Sequence, residues 1–239
     1  MGPRPAPRVH RPVRLALLLL LASTARAQPT PDAVLDAWRA DWRRAAASVD
    51  AVTAREASEW TVDGPRGRTR VEAEGTLRYD GDGPPVRQLR SVRVDGRDVD
   101  SDRGRFQGRR WERAFGPAGR EVHAPPGLPG PVLAYAEGRA IAADRVGGEP
   151  AWRVEITTPL DRAEAWFTRA DRPRLLALRV EGQRPRGGQI VREVRYTRVG
   201  GLDVPAEART TFTARQRRRL REYFVTLTAV GTYTGHTVR

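Results

Sequence analysis

Alternating apolar and polar residues run through most of the chain, and this pattern predicts a large antiparallel β-sheet. From Val71 to Tyr79 every second residue is apolar or small, and the residues between them are charged or polar. That period is typical of a strand with one buried and one solvated face. Turn residues bound each such run and predict nine to eleven strands. The candidates are residues 52–62, 69–79, 88–94, 141–145, 151–157, 163–168, 175–180, 190–196, 208–213 and 223–233, and residues 69–79 have the most regular alternation.

A helical period precedes the strands. Thr30 can cap a helix, Pro31 suits its first position and Asp32 suits its positive end. Apolar residues then recur at helical spacing and form one stripe. This helix is either a packed surface helix or one that closes the mouth of the sheet and touches a ligand. The stripe contains Val34, Leu35, Trp38, Trp42, Ala45, Ala46 and Val49.

A single antiparallel sheet of this size must curl strongly or close on itself. The predicted fold is therefore mainly β (α+β), with the sheet curled into an incomplete, half-open barrel. The amphipathic helix and short helical lid elements cover it.

Residues 101–139 interrupt the strand pattern. Phe106, Arg110, Trp111 and Phe115 could share one side of a short helix, residues 121–131 have the composition of a loop, and residues 132–139 could form another helical piece. A long irregular insertion in a β domain is usually a lid or a binding loop. A solvated connection with two aromatic residues tucked into the sheet edge is the alternative.

The first 27 residues have the pattern of a secretory signal peptide. Four arginines precede an eight-residue apolar core at 15–22, and Ala25 and Ala27 supply the small residues of a cleavage site. The core is far shorter than the roughly 20 residues that span a bilayer. We therefore expect cleavage before Gln28, a single domain over residues 28–239 and a soluble, monomeric protein in the periplasm.

The composition limits the classes of partner that the protein is expected to bind. The chain has no cysteine, so its core must hold without disulfides. Removing residues 1–27 takes five arginines and no acid from the formal net charge of +14, which leaves +9. Such a charge favours anionic surfaces, and for an exported protein lipid headgroups or acidic glycans are better partners than nucleic acid. The densest basic run is either a solvated hairpin end or a contact for anionic headgroups: Arg215, Arg217, Arg218, Arg219 and Arg221.

The sequence offers no candidate catalytic or metal-binding constellation. His123 and His236 have no second histidine at metal-ligand spacing, and no Gly-x-Ser-x-Gly turn is present. Asp98, Asp100 and Asp102 alternate, but Arg103 and Arg109 stand where a calcium-binding loop needs its glycine and its last acid, so a solvated turn explains them better. We predict a protein that is not an enzyme and needs no cofactor or metal.

Three stretches resemble the LolA-like superfamily of exported lipid-handling proteins, which includes outer-membrane lipoprotein-sorting carriers and stress sensors. They are residues 151–156, residues 165–168 with 173–176, and Tyr196 with residues 201–205. The resemblance implies a signal peptide, an amphipathic helix and about eleven antiparallel strands in an incomplete barrel, with helical elements on the concave side. It implies no specific ligand-gripping residue.

The resemblance and the apolar strand faces together predict a lipid or acyl-chain carrier or an envelope sensor, with the ligand between the sheet and the helices. The alternative is a structural or interaction module that fills its own concavity and presents arginines to an anionic or protein partner. The predicted cavity-lining residues are Trp38, Trp42, Val71, Leu77, Trp152, Val154, Leu178, Tyr196, Val225 and Leu227.

Overall fold

The computed structural model describes residues 28–65, 67–81, 83–100, 117–157, 161–184, 188–218 and 221–239. The predicted signal peptide and the predicted helix with Phe106 and Trp111 lie outside these residues. Three helices and eleven strands occur in the described part. They are α1 (Pro31–Ala46), β1 (Val52–Gly64), β2 (Gly67–Tyr79), β3 (Val86–Val94), β4 (Arg97–Val99), α2 (Pro117–His123), α3 (Pro129–Leu133), β5 (Glu137–Val146), β6 (Glu149–Thr157), β7 (Asp161–Thr168), β8 (Leu175–Arg184), β9 (Gly188–Val199), β10 (Leu202–Arg218) and β11 (Arg221–Val238).

All eleven strands belong to one antiparallel sheet in the order β4-β3-β2-β1-β11-β10-β9-β8-β7-β6-β5. In the described chain β4 and β5 are the two edges and do not pair with each other, so the sheet is an open half-barrel. The fold class predicted from the strand pattern is confirmed. The α1, α2 and α3 helices pack on the inner face of the sheet.

The α1 helix begins as predicted. The Thr30 side chain accepts a hydrogen bond from the amide of Ala33 at 3.2 Å, and Pro31 occupies the first turn. Val34, Leu35, Trp38 and Trp42 are buried, while Ala45, Ala46 and Val49 pack against the edge of the same cluster. The apolar stripe therefore faces the sheet.

The connections differ from the prediction in three places. Residues 121–123 of α2 and 129–131 of α3 are helical where the sequence predicts a loop, and residues 137–139 already belong to β5 rather than to a helix. The turn before β10 comprises only Gly200 and Gly201, and β10 continues through Pro205 at a β-bulge, where a missing amide costs no ladder hydrogen bond. β10 and β11 are also much longer than predicted, with 17 and 18 residues.

The inner face carries two apolar clusters. The first lies under α1 and α3 and includes Trp38, Phe167 and Leu133. The second lies near α2 and includes Trp60, Phe212 and their neighbours on β2 and β11. Among the described residues, no helix is both long enough and apolar enough to span a bilayer.

Candidate functional site

The space between α1 and the sheet is filled by side chains. The Trp38 and Trp42 rings stack with their centroids 5.5 Å apart, and Trp38 also lies 6.0 Å from the Phe167 ring. The indole Nε1 of Trp38 donates a 2.7 Å hydrogen bond to the buried carboxylate of Asp203. On the other side, Gly130 of α3 lies so close to Trp42 that a Cβ there would be 2.3 Å from its indole nitrogen. Trp38 and Trp42 are thus packed core residues in this structure.

The structure divides the predicted lining residues between the two inner clusters. Leu77, Val154, Leu178 and Tyr196 are buried in the α1 cluster with Trp38 and Trp42, and Trp152 packs against its edge. Val71 and Leu227 belong to the second cluster, and Val225 is buried outside both. All ten side chains are removed from solvent wholly or in part. Whether any of them contacts a ligand stays a prediction.

Polar and charged groups interrupt the apolar inner face beside α2. The Glu56 side chain is fully buried, and its carboxylate pairs with Arg87 of β3 through two hydrogen bonds, one of 2.6 Å from Nε. Arg87 also donates to the Ser58 hydroxyl and to the backbone carbonyl of His123, both at 3.2 Å. Its guanidinium lies 4.8 Å from the centroid of the Trp60 ring. This ion pair therefore joins β1, β3 and the end of α2.

Two further arginines fasten α2 to the other half of the sheet. Arg184 of β8 binds the Glu121 carboxylate at 2.6 and 2.7 Å and the Asp161 carboxylate at 2.7 Å, and these bonds raise the pKa of its guanidinium. Arg192 of β9 donates to the Thr210 hydroxyl at 3.1 Å and to the backbone carbonyl of Glu121. The carbonyls at a helix C-terminus carry partial negative charge, so arginines there are stabilising.

Buried tyrosines complete this polar region. Burial raises the pKa of Tyr79, Tyr196 and Tyr233, so each phenol stays protonated at physiological pH. The Tyr233 ring folds back over Gly231, where a Cβ would lie 2.4 Å from the Tyr233 oxygen. The Tyr79 hydroxyl is buried and has no hydrogen-bond partner among the described residues.

His123, at the end of α2, packs its ring edge-on against Trp60 with the centroids 5.1 Å apart. Burial and, secondarily, the positive charge of Arg87 lower the pKa of His123 to about 3. The imidazole is therefore neutral near pH 7. The enclosed space between α2 and the sheet, lined by Glu56, Trp60, His123, Tyr233 and neighbours, has a volume of about 10 Å³. That space is room for one water at most and not for a ligand.

The sequence prediction missed Glu56, Arg87, Arg184 and Arg192. Their position in the strand alternation could have revealed them. Arg192 has the same two-residue spacing as the buried residues Ile190, Val194 and Tyr196, so it lies on the buried face of β9. An arginine in the apolar phase of a strand points to a buried charge that needs partners. No group of three or more potential metal ligands occurs among the described residues.

The predicted basic run lies at the β10–β11 hairpin. The Arg215 side chain pairs with Glu222 of β11, and Arg217 and Arg218 lie opposite Glu222 and Arg221 in the strand register. Arg219 lies outside the described residues. A separate groove of about 740 Å³ crosses the outer face of the sheet from residues 144–147 at the end of β5 to β11, with Trp166, Arg179, Arg195 and Arg209 among its lining residues. Headgroup contact by the hairpin stays a prediction.

Comparison with known proteins finds no matching family model and no matching curated protein. Similar solved structures include a LolA superfamily protein from Nitrosomonas europaea (10% identity, 89% of this chain and 94% of that chain covered, TM-score 0.37). A domain described as an outer membrane lipoprotein-sorting protein from Vibrio parahaemolyticus is similar at 9% identity, with 86% and 93% covered and a TM-score of 0.38. MucB from Pseudomonas aeruginosa, solved with MucA, is similar at 13% identity, with 84% and 94% covered and a TM-score of 0.23. Identities of 9–13% and TM-scores of 0.23–0.38 are too low to support an argument about family or function.

Proposed function

We propose that this protein is an exported, non-enzymatic carrier or sensor of the cell envelope that holds an acyl chain between the curved sheet and its helices. The observation that carries the proposal is the attachment of α2. This short helix covers an apolar part of the sheet, and arginine contacts to its C-terminal turn and the residue after it hold it there. The cover has to move before a chain can enter.

The free-energy cost of moving α2 away from the sheet can be estimated from its contacts. A seven-residue helix has little stability of its own. In α2 the buried apolar side chains are those of Ala118 and Val122, and burying a valine contributes about 1.5–3 kcal/mol. Each hydrogen bond to a charged group adds about 1.5–3 kcal/mol, because water replaces most of it on opening. The cover is therefore held by several kcal/mol.

An acyl chain can offset that cost. The sheet surface near α2 includes the buried side chains of Val71, Ile190, Phe212 and Leu227. Each methylene transferred from water onto such a surface gains about 0.8 kcal/mol, so ten methylenes gain about 8 kcal/mol. This gain is of the same size as the loss of the α2 contacts, and the association itself also has a cost. Each further methylene adds about 0.8 kcal/mol, so exchange of the cover for an acyl chain becomes favourable as the chain lengthens.

Lipid extraction and uptake test the proposal. Protein purified from the periplasm is extracted with organic solvent, and the extract is analysed by mass spectrometry; delipidated protein is then incubated with phospholipid vesicles. We expect a bound acyl chain and uptake from the vesicles. Ala229→Phe on the inner face should reduce uptake at least tenfold, whereas Val230→Phe on the outer face of the same strand should not. Folded protein that carries no lipid and takes up none would overturn the proposal.

One observation favours a second candidate function, an interaction module of the envelope. The space under α1 is packed by Trp38, Trp42 and Phe167, and the outer face carries a groove lined with charged side chains. This function predicts that no amphiphile binds. It also predicts that reversing the charge of Arg195 and Arg209 abolishes capture of an envelope partner without affecting the inner face.

A further inference from the structure

Arg192 is an inner-face arginine whose hydrogen bonds in the described part of the chain all go to uncharged groups. It stands in the apolar phase of β9, between Ile190 and Val194. Its guanidinium donates to the Thr210 hydroxyl at 3.1 Å, to the Ala124 carbonyl at 3.5 Å and to the Glu121 carbonyl. No carboxylate of the described residues forms an ion pair with it. Its contacts are therefore all to neutral oxygens.

The two other arginines that hold α2 differ from Arg192 in this respect. The Glu56 carboxylate neutralises Arg87, and Glu121 and Asp161 neutralise Arg184. Burial lowers the pKa of Arg192, yet a guanidinium keeps its proton in proteins. Removing an unpaired charge from water is costly unless an opposite charge comes to it. The negative charge that acts on Arg192 is that of Glu121, which lies on α2 and also pairs with Arg184. Movement of α2 takes this carboxylate away and leaves one positive charge on the inner face for an anion.

Hydroxyl donors lie on the same inner face as this charge. Tyr196 lies four residues beyond Arg192 on the same face of β9, and Tyr196 and Tyr233 are both buried. The buried Tyr79 hydroxyl has no hydrogen-bond partner among the described residues. All three phenols are protonated and can donate. A guanidinium with several hydroxyl donors forms a site for an acceptor that carries negative charge.

We propose that Arg192 anchors the carboxylate of a long-chain fatty acid, whose acyl chain lies along the apolar inner face. This inference rests on the function proposed above and adds the head group to it. In the closed structure the carbonyl oxygens of Glu121 and Ala124 occupy the acceptor positions that the carboxylate takes once α2 has moved. A carboxylate carries one negative charge and matches one unpaired guanidinium in a planar, two-point contact, whereas a phosphate monoester brings a second charge without a partner.

Matched ligands with the same chain test the head group. Delipidated protein is titrated with palmitate, methyl palmitate, hexadecanol and hexadecyl phosphate, and dissociation constants are measured by competition with a fluorescent fatty acid. We expect palmitate to bind about 10- to 100-fold more tightly than methyl palmitate or hexadecanol, which is the range for a hydrogen-bonded charge. Arg192→Gln should abolish this preference, so that palmitate and hexadecanol bind the variant with similar dissociation constants. Arg195→Gln is the control, because Arg195 lies on the outer face of the same strand and pairs with Glu207.

The outcomes separate this inference from the proposed function. Equal binding of palmitate, methyl palmitate and hexadecanol to the wild-type protein overturns the role of Arg192 but leaves the acyl-chain site. Tighter binding of hexadecyl phosphate than of palmitate overturns the choice of a carboxylate. Failure of every ligand to bind overturns both proposals. If Arg192→Gln does not fold, the comparison of ligands on the wild-type protein still tests whether a carboxylate is preferred. If the variant folds and keeps the preference for palmitate, the assignment of Arg192 is also overturned.

Discussion

Replacing Asp203 should show that its buried hydrogen bond to Trp38 contributes more to stability than a similar hydrogen bond at the surface. The Oδ2 atom of Asp203 accepts from the Trp38 indole at 2.7 Å and from the Leu175 amide at 3.0 Å, and the residue is 2% exposed. Asp203→Ala leaves both donors buried without a partner. Each such donor costs about 1–3 kcal/mol, so the free energy of unfolding should fall by about 2–6 kcal/mol.

Asp203→Asn should be milder, because one amide oxygen can take the place of Oδ2 and accept both hydrogen bonds. Burial raises the pKa of Asp203, which shows that the site disfavours the charged form. The amide loses the 3.6 Å ion pair between Oδ1 and Arg198 and puts a buried NH2 group without an acceptor in its place, so we expect a loss of about 1–2 kcal/mol.

Asp144→Ala is the matched control. The Asp144 carboxylate also accepts from a tryptophan, Trp166, at 2.8 Å, but on the solvated side of the sheet. Water can replace that bond, so stability should stay close to wild type. Urea denaturation followed by circular dichroism gives the free energies of unfolding. Equal losses for Asp203→Ala and Asp144→Ala, or for Asp203→Ala and Asp203→Asn, would refute the reasoning.

Three further predictions concern α2, α3 and β11. Burial lowers the folded-state pKa of His123 from its ordinary value of 6.5 to about 3. Its contribution to stability is therefore complete above pH 6.5 and is lost as the pH falls towards 3. The steepest slope is about 1.4 kcal/mol per pH unit, so urea midpoints between pH 7 and 4 should depend on pH less in His123→Phe than in the wild type. Gly231→Ala should destabilise the protein by about 1–3 kcal/mol, because the new Cβ meets the Tyr233 ring, and the loss should shrink when Tyr233 is first replaced by alanine. Gly130→Ala should lower the free energy of unfolding by a similar amount, because the added Cβ meets the Trp42 ring. Gly127→Ala is the control, since no heavy atom lies within 4 Å of its added Cβ, and it should not lower the denaturation midpoint. Equal midpoints for the three glycine variants would contradict both steric arguments.

Local signals predict α1 and the sheet well because both are long and periodic. A few adjacent residues are enough to predict the Thr30 cap, the apolar stripe of α1 and the Asp95-Gly96 turn. Both residues of that turn have positive φ. The α2 and α3 helices have seven and five residues, too few for a helical period to show. Their first residues, Pro117 and Pro129, indicate a loop as readily as a helix start.

The candidate site is harder to predict because its residues come from distant strands. Glu56, Arg87 and Arg192 meet only when β1, β3 and β9 are aligned in one curved face and α2 lies over them. A strand pattern shows which face a residue occupies, but not which charge on another strand lies next to it. The Asp203 position illustrates the same limit, since it belongs to a stretch on which the family resemblance rests and proves to hold Trp38 in the core.

The place of β11 in the strand order has a consequence for how the chain assembles. The first four strands join the rest of the sheet only through the pairing of β1 with β11, which is the last strand of the chain. During synthesis, β1 and β10 therefore present unpaired edges until residues 221–238 emerge, and such edges are prone to aggregation. The sheet cannot be completed from the N-terminus onward. A chain that folds only after all its strands are available avoids this exposure, because both halves and the strand that joins them are then together.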